Sequence, residues 1–393
     1  MAVLRTNILD IEFENPFLLA SAPPSALIES IDKAFKMGWG GAVLKTITPD
    51  DLKMFEASPR YAVMKEKGKV IGFQNIELLS HKTIRYWVDG IKYLKEKHPT
   101  KVIIASIMAP VKKEEWQNLV KILNNTPIDA YELNFSCPHG MPEKGIGMAI
   151  GTSAEISSEI TKWVKSAAEK PVFVKLTPNV TDITRIADVT ESAGADGFAA
   201  INTVQGFMGI NLDTLEPNLN IDGMTTYGGC SGEIIKPIGL KCVAQLRQKS
   251  GLPILGIGGI TNCQDAAQYI AAGSDAVQIC TEVMINGFGI INGLKSGLLN
   301  YLEEKGMNDI SELKNIAISK ITTHEKLNKE YHLHPEIDKK VCIKCGKCVK
   351  ICSESEHQAL SKDDCQIKLN IDNCIGCSLC SHVCPKEAIK MCC

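Results

Sequence analysis

The residues with the clearest chemistry are cysteines near the C-terminal end. Of sixteen cysteines, five lie scattered between positions 137 and 280, and eleven fall within the last 52 residues. They form the run Cys342-x2-Cys345-x2-Cys348-x3-Cys352, repeated as Cys374-x2-Cys377-x2-Cys380-x3-Cys384-Pro385. A cubane iron–sulfur cluster needs four thiolates on one side of a tight turn. Two-residue gaps deliver three, and in two-cluster proteins the fourth comes from the other run. The spacing predicts one [4Fe–4S] cluster on Cys342, Cys345, Cys348 and Cys384, and a second on Cys374, Cys377, Cys380 and Cys352. Gly346, Gly376 and Ser378 are small or flexible spacers that let backbone N–H groups approach sulfur. A zinc ribbon usually shows two cysteine pairs across a long gap, which two complete four-cysteine runs do not match. Disulfides fit no better. The N-terminal MAVLRTNILDIEFENPFLL carries acidic residues where a secretion signal has an uninterrupted apolar stretch, so a cytoplasmic location is expected. Cys365, Cys392 and Cys393 match no ligand position and are expected as free thiols.

A second set of polar residues emerges at the ends of apolar runs. The first 300 residues alternate short β-branched or apolar segments with amphipathic stretches such as Glu114–Leu123 and Ser153–Ala168. The apolar segments are Phe17–Ala22, Gly41–Thr46, Lys101–Met108, Asp129–Ser136, Pro171–Thr177, Gly197–Asn202, Pro253–Gly259 and Ala276–Thr281. Runs this short and this apolar suit buried parallel strands. Eight strand–helix units are the number that closes a (β/α)8 TIM barrel, whose chemistry collects at the C-terminal strand ends. Those ends read Ser21, Lys45-Thr46, Asn134-Phe135-Ser136-Cys137-Pro138-His139, Lys175, Asn202-Thr203, Gly258-Gly259 and Cys280-Thr281. Gly258-Gly259 and Cys280-Thr281 follow strands seven and eight, the usual phosphate position, where bare N–H groups can meet a phosphate. The glycine-rich HGMPEKGIGMAIG after the fourth strand reads as a lid. The long connection Thr203–Gly232 has no clear period, and a loop of that length is usually functional.

The organisation expected is therefore an α/β barrel over residues 1–305, a charged, helical linker over 306–336, and a small ferredoxin-like α+β domain over 337–393. Hydrophobic residues make up 45% and charged residues 22%, which suits a globular chain with a sizeable core. The net charge of −2 gives no reason to expect nucleic acid or an anionic membrane as partner. No run of apolar residues is long enough to span a bilayer. No strand–GxGxxG–helix unit appears, so no dinucleotide-binding domain is expected. Lys339 and Lys340, just before the first cluster ligand, read either as solvated charge or as a docking patch.

The tail resembles bacterial two-cluster ferredoxins, apart from Ser353 where proline commonly follows the fourth cysteine. The motifs LLASAPPS, GWGGAVLKT, GFQNIELLS, ELNFSCPHGM, VFVKLTPNVTDI, AAINTV, GGCSG and GIGGI run in order across the rest of the chain. They resemble the dihydroorotate dehydrogenase superfamily and, within it, the pyrimidine-reducing part of the dihydropyrimidine dehydrogenases, whose bacterial FMN/iron–sulfur subunit is similar in size. The resemblance implies FMN lined by Ala20, Ser21, Lys45, Thr46, Asn134, Lys175, Asn202, Gly232, Gly258, Gly259, Cys280 and Thr281. Lys45 and Lys175 suit that role, because a cation beside the N1/O2 edge stabilises a reduced, anionic flavin. It implies a pyrimidine held by Asn134, Asn202 and Thr203, with Ser136 and His139 tuning or positioning. It implies reversible reduction of the C5=C6 bond of uracil- or thymine-type substrates, with hydride from FMN N5 and a proton from Cys137. Electrons would come through the clusters from a separate NAD(P)H-oxidising FAD/iron–sulfur subunit, in a hetero-oligomer with a homodimeric core.

Two other activities compete. One is a ferredoxin-fused dihydroorotate dehydrogenase, or a reductase of another conjugated C=C bond. The other is an electron carrier whose barrel no longer catalyses, against which Cys137 and the flavin contacts speak. His139 stands where dihydroorotate-oxidising relatives commonly have Asn. Val111-Lys112 stand where the superfamily's substrate-side Asn is expected after strand three. A lysine there either favours an anionic or more carbonyl-rich substrate or faces solvent.

Overall fold

The computed structural model describes residues 2–52, 54–135, 148–355, 357–363 and 366–393. It divides into two compact units, the first running to Lys320 and the second covering Ile321–Cys393. Among the described residues no helix is long and apolar enough to cross a membrane.

In the first unit the eight expected strands form a closed parallel barrel. They are Phe17–Leu19, Gly41–Val43, Val102–Ile107, Ala130–Asn134, Val172–Lys175, Gly197–Ala200, Ile254–Ile257 and Ala276–Ile279. Each pairs with its sequence neighbours, and the eighth closes on the first through Val277–Phe17 and Ile279–Leu19. Every residue of these strands is buried, because helices cover the outside and side chains fill the inside. Helix Lys113–Asn124 shows the outer packing: Trp116, Leu119, Val120 and Leu123 recur at helical spacing and turn inward. Helix Ala154–Lys165 starts where the Ser153 side chain accepts from Ile156 N–H, and Asn262 caps Cys263–Ala271 through Asp265 N–H.

Inside the barrel lies a separate apolar layer that includes Leu18, Val43, Ile104, Phe173 and Leu255. The hairpin Thr6–Ile8/Ile11–Phe13 adds Ile8 and Phe13 to that layer and so plugs the end of the barrel away from the strand C-termini. The mouth at the opposite end is walled by a four-stranded antiparallel sheet, made of Tyr61–Glu66, Lys69–Asn75, Val204–Gly206 and Gly228–Gly232. Much of the connection expected as irregular over Thr203–Gly232 is thus strand. Its partner hairpin at 61–75 lies far away in sequence, with Gly229 opposite Asn75.

Residues 306–320, expected as part of a helical linker, instead fasten to the barrel. Ile310 and Leu313 are buried, and Asn315 and Ala317 donate backbone hydrogen bonds to Ile270 and Ala271. The segment 306–336 forms no α-helix: it holds three-residue 3-10 turns at Ile310–Glu312, Ile318–Lys320 and His324–Lys326, and ends in the strand that starts at His334.

The second unit repeats one pattern twice: strand, cysteine loop, short helix, strand. Its strands are His334–Ile337, Leu360–Asp363, Gln366–Leu369 and Ile389–Cys392, and its helices are Lys347–Ser353 and Leu379–His382. The outer strands pair with each other, as do the inner two. Cys348, Leu360, Cys380 and Ile389 form its buried centre.

The inner barrel layer gives a direct test of this packing. Leu255 is fully buried there. Leu255→Ala is expected to destabilise the barrel by about 2–5 kcal/mol, as read by urea unfolding of the full chain. A loss under about 1 kcal/mol would show that the layer can collapse around the gap.

Candidate functional site

The strand C-termini open onto a cavity with about 1190 Å3 of space, counted out to the open solvent at its mouth. Every described residue assigned to the flavin by resemblance lines it: Ala20, Ser21, Lys45, Thr46, Asn134, Lys175, Asn202, Gly232, Gly258, Gly259, Cys280 and Thr281. Thr203 joins them. Ser136, Cys137 and His139 lie outside the described residues, as does most of the expected lid; its end, Met148–Gly151, is a short helix.

Position and charge follow from the strands. Thr46 Oγ1 is a hub: it lies 3.1 Å from Ser21 Oγ and 3.0 Å from Ser106 Oγ, and accepts from Asn134 Nδ2 at 2.9 Å. Lys45 Nζ donates to Glu77 at 3.1 Å, with both side chains largely buried. Glu77 is held in turn by Arg60 at 3.0 Å. Arg60 pairs with Glu56, which also faces His81 at 3.1 Å. Lys175 meets the fully buried Glu132 at 3.2 Å. Lys69, from the hairpin, lines the cavity and pairs with Glu233 at 3.2 Å. Burial pushes the Cys280 thiol up to about 11, although Lys45 and Lys175 pull it down. Burial, reinforced by Glu77, raises the Tyr61 hydroxyl, so it stays neutral.

The glycine turn after the seventh strand is held from below, where Tyr269 Oη donates to Gly258 O at 2.6 Å. Gly259 has φ +69°, and a Cβ there would come within 2.8 Å of Lys236 N and 2.9 Å of Gly232 O. Only glycine fits.

These residues suit a flavin. They offer buried cations, a bare glycine backbone at the usual phosphate position, and a buried acceptor, Gln278 Oε1, with no partner among the described residues. The thiols suit clusters. One cavity of about 310 Å3 is lined by Cys342, Cys345, Cys348 and Cys384. Another of about 370 Å3 is lined by Cys352, Cys374, Cys377 and Cys380. Each group takes three thiols from one run and the fourth from the other, the cross-run pattern of two-cluster proteins. Lys344, Gly346, Gly376 and Ser378 all have positive φ, so the two cysteine loops share one conformation. A Cβ on Gly376 would come within 2.7 Å of Leu333 O. Cys365 lies outside the described residues. Cys392 approaches Glu336 at 3.4 Å, and Cys393 hydrogen-bonds Tyr331. Lys339 and Lys340 are exposed.

Comparison with known proteins agrees with this architecture. A family model described as dihydroorotate dehydrogenase matches residues 3–302. The chain belongs to the dihydroorotate dehydrogenase family. A second model, described as a 4Fe-4S dicluster domain, matches residues 335–391. The NAD-dependent dihydropyrimidine dehydrogenase subunit PreA of Escherichia coli K12 is 35% identical over 99% of this chain and 95% of its own length. The chloroplastic dihydropyrimidine dehydrogenase (NADP(+)) of Arabidopsis thaliana is 36% identical over 83% of this chain and 79% of its own. The catalytic subunit of dihydroorotate dehydrogenase B (NAD(+)) from Pyrococcus abyssi is 36% identical over 80% of this chain and 99% of its own. The chain is accordingly an oxidoreductase acting on CH–CH bonds, with a TIM barrel and an iron–sulfur domain.

Lys112 does not reach the cavity. It sits just before helix Lys113–Asn124, pairs with Glu115 at 3.2 Å, and its side chain is 69% exposed, so the solvent-facing alternative holds. Sequence reading missed Tyr61, Asn75 and Glu77, which come from the wall hairpin and the residues after it, and Glu132 and Gln278 inside the barrel. GFQNIELLS held a signal for the first group, since an Asn-x-Glu closes its strand.

Gly259→Ala is expected to cut flavin content of the purified protein at least about tenfold while leaving the barrel folded by circular dichroism. Full flavin content would show that the turn does not seat the cofactor.

Proposed function

We propose that this chain reduces the C5=C6 bond of uracil- or thymine-type pyrimidines to 5,6-dihydropyrimidines, reversibly. FMN would occupy the barrel mouth, and two [4Fe–4S] clusters would pass electrons from an NAD(P)H-oxidising flavoprotein subunit. The observation that carries this reading is the cavity's mixture of groups. Buried lysines stand beside the carboxamides of Asn75, Asn134 and Asn202 and the hydroxyl of Thr203, in a chain matched over nearly its full length to a dihydropyrimidine dehydrogenase subunit. Carboxamides both donate and accept, which is what the alternating N–H and C=O edge of a pyrimidine requires.

Bound FMN supplies the reducing equivalents at C6. The rest falls to the chain's own side chains. Asn75, Asn134, Asn202 and Thr203 hold the ring by its amide edges. Lys45 and Lys175 place positive charge where negative charge collects. Cys137 delivers a proton to C5; an unperturbed thiol, with pKa about 8.5, is mostly protonated at neutral pH and able to donate. Ser136 and His139 position the ring and the thiol.

Charge favours a neutral pyrimidine over orotate. Among the described residues the lining lysines are Lys45, Lys69 and Lys175, and each already faces a carboxylate. The Pyrococcus dihydroorotate dehydrogenase is used up almost completely by the match to 80% of this chain, leaving no length for a second domain like the tail here.

Anaerobically reduced protein is expected to be reoxidised by uracil or thymine and not by orotate, followed by flavin absorbance. Orotate acting where both pyrimidines fail would reverse the assignment. Cys137→Ala is expected to keep FMN bound and reducible but to lower turnover by about two orders of magnitude or more; unchanged turnover rejects the proton donor. Anaerobic protein should hold about eight irons. Cys352→Ala is expected to remove the same electron-paramagnetic signal as Cys374→Ala and a different one from Cys342→Ala. Loss of the Cys342 signal instead would break the cross-run ligation.

A further inference from the structure

Beneath the cavity floor, polar side chains occupy the barrel interior at a depth where branched apolar residues usually sit. Glu132, on the fourth strand, is completely buried, and Gln278, on the eighth, is 1% exposed. One Glu132 oxygen accepts from Lys175 Nζ at 3.2 Å and the other from Gln278 Nε2 at 2.7 Å. Lys175 and Gln278 line the cavity, whereas Glu132 does not. The carboxylate thus grips, from behind, two groups that face the ligand.

That grip fixes orientation. An ionised carboxylate can only accept, so the Gln278 amide must turn its NH2 toward Glu132. Its oxygen is left without a partner among the described residues. A buried acceptor in that state is unfavourable unless a ligand donor meets it. The floor therefore presents a cation and a hydrogen-bond acceptor side by side. The imide edge of an isoalloxazine offers the complement, an N–H flanked by carbonyl oxygens.

We propose that Glu132 is a positioning residue: it holds the Lys175 ammonium and the Gln278 carboxamide toward the flavin's imide edge, and its negative charge keeps the flavin's reduction potential lower than Lys175 alone would set it. This rests on the FMN reading above. Removing the negative charge leaves Lys175 uncompensated, which favours the reduced, more negative flavin.

The test uses the full chain, reconstituted anaerobically with FMN, and reads the flavin midpoint potential by dye equilibration. Glu132→Gln keeps the shape and removes the charge. It is expected to shift the potential to more positive values, equivalent to roughly tenfold or more tighter binding of reduced relative to oxidised FMN. A purely structural role would lower thermal stability and leave the potential in place, which overturns the proposal. Gln278→Leu leaves the buried ion pair intact and tests the other arm. Oxidised FMN is expected to bind about tenfold more weakly for want of one hydrogen bond. Unchanged affinity overturns the brace even should Glu132→Gln fail to fold. A wild-type chain that takes up no flavin overturns the functional reading and this proposal with it; flavin uptake with an unshifted potential overturns this proposal alone.

Discussion

Two lysines at the barrel mouth are almost out of water, and each is tolerable there because a carboxylate meets it. The Lys45 and Lys175 side chains are 9% and 5% exposed, and their partners Glu77 and Glu132 are 15% and 0% exposed. Removing one ion from water costs several kcal/mol even after relaxation, and a buried pair recovers that only with good geometry and further hydrogen bonds. Here the further bonds exist: Arg60 on Glu77 and Gln278 on Glu132. The requirement reaches well beyond the pairs. Glu77 follows the wall hairpin, so satisfying Lys45 fixes where that hairpin lies and hence where Asn75 and Tyr61 stand. Glu132, Lys175 and Gln278 come from three barrel strands, so satisfying Lys175 ties opposite sides of the barrel together. The chemistry of the mouth and the placement of its wall are one constraint.

The second unit solves a different problem with the same economy. Its buried centre is small, built around Cys348, Leu360, Cys380 and Ile389. Domains of this size rarely stabilise themselves by apolar burial alone and depend on a metal or covalent staple. Cys352 and Cys384 each leave their own run to complete the other's cage, so neither half can close without its partner. Backbone N–H groups of Lys344 and Ala388 already point at Cys342 and Cys384 sulfurs, at 3.4 and 3.3 Å. The thiolates that would carry electrons are thus also the groups best placed to hold the domain together.

The barrel was legible in sequence because its strands are buried on both faces. Such strands read as unbroken apolar runs, and their polar ends then stand out at Lys45-Thr46, Asn134 and Lys175. The wall hairpin was not legible for the opposite reason. Tyr61–Glu66 is mostly exposed after its second residue, so no apolar run announces it, and the pairing of its partner strand Lys69–Asn75 with Gly228–Gly232 spans more than 150 positions of sequence. Glu132 and Gln278 stayed hidden because a polar residue inside an apolar run looks like noise until register shows that it points inward. The segment 306–320 looked like linker because it is charged, yet buried Ile310 and Leu313 and backbone hydrogen bonds to Val3, Ile270 and Ala271 dock it. The grouping of eight cysteines into two sets was legible, because the spacing of each run decides which thiols can line one space.

Burial also sorts the thiols near the cavity by what they can do. Cys280 lines the mouth beside both lysines, yet burial holds its thiol up to about 11 despite them. Below that pH it remains a neutral thiol, and a donor so far above neutral pH gives up its proton poorly, because the thiolate it leaves is unstable in place. Cys280 is therefore suited to shaping the pocket, as a small apolar residue against Met284 at 3.6 Å. A thiol that must donate at neutral pH needs a pKa near its ordinary value and a route by which the proton is restored. Among the described residues Cys280 is the thiol that lines the cavity beside both buried lysines, and its low donor strength leaves the neutral-pH proton transfer proposed above to another group.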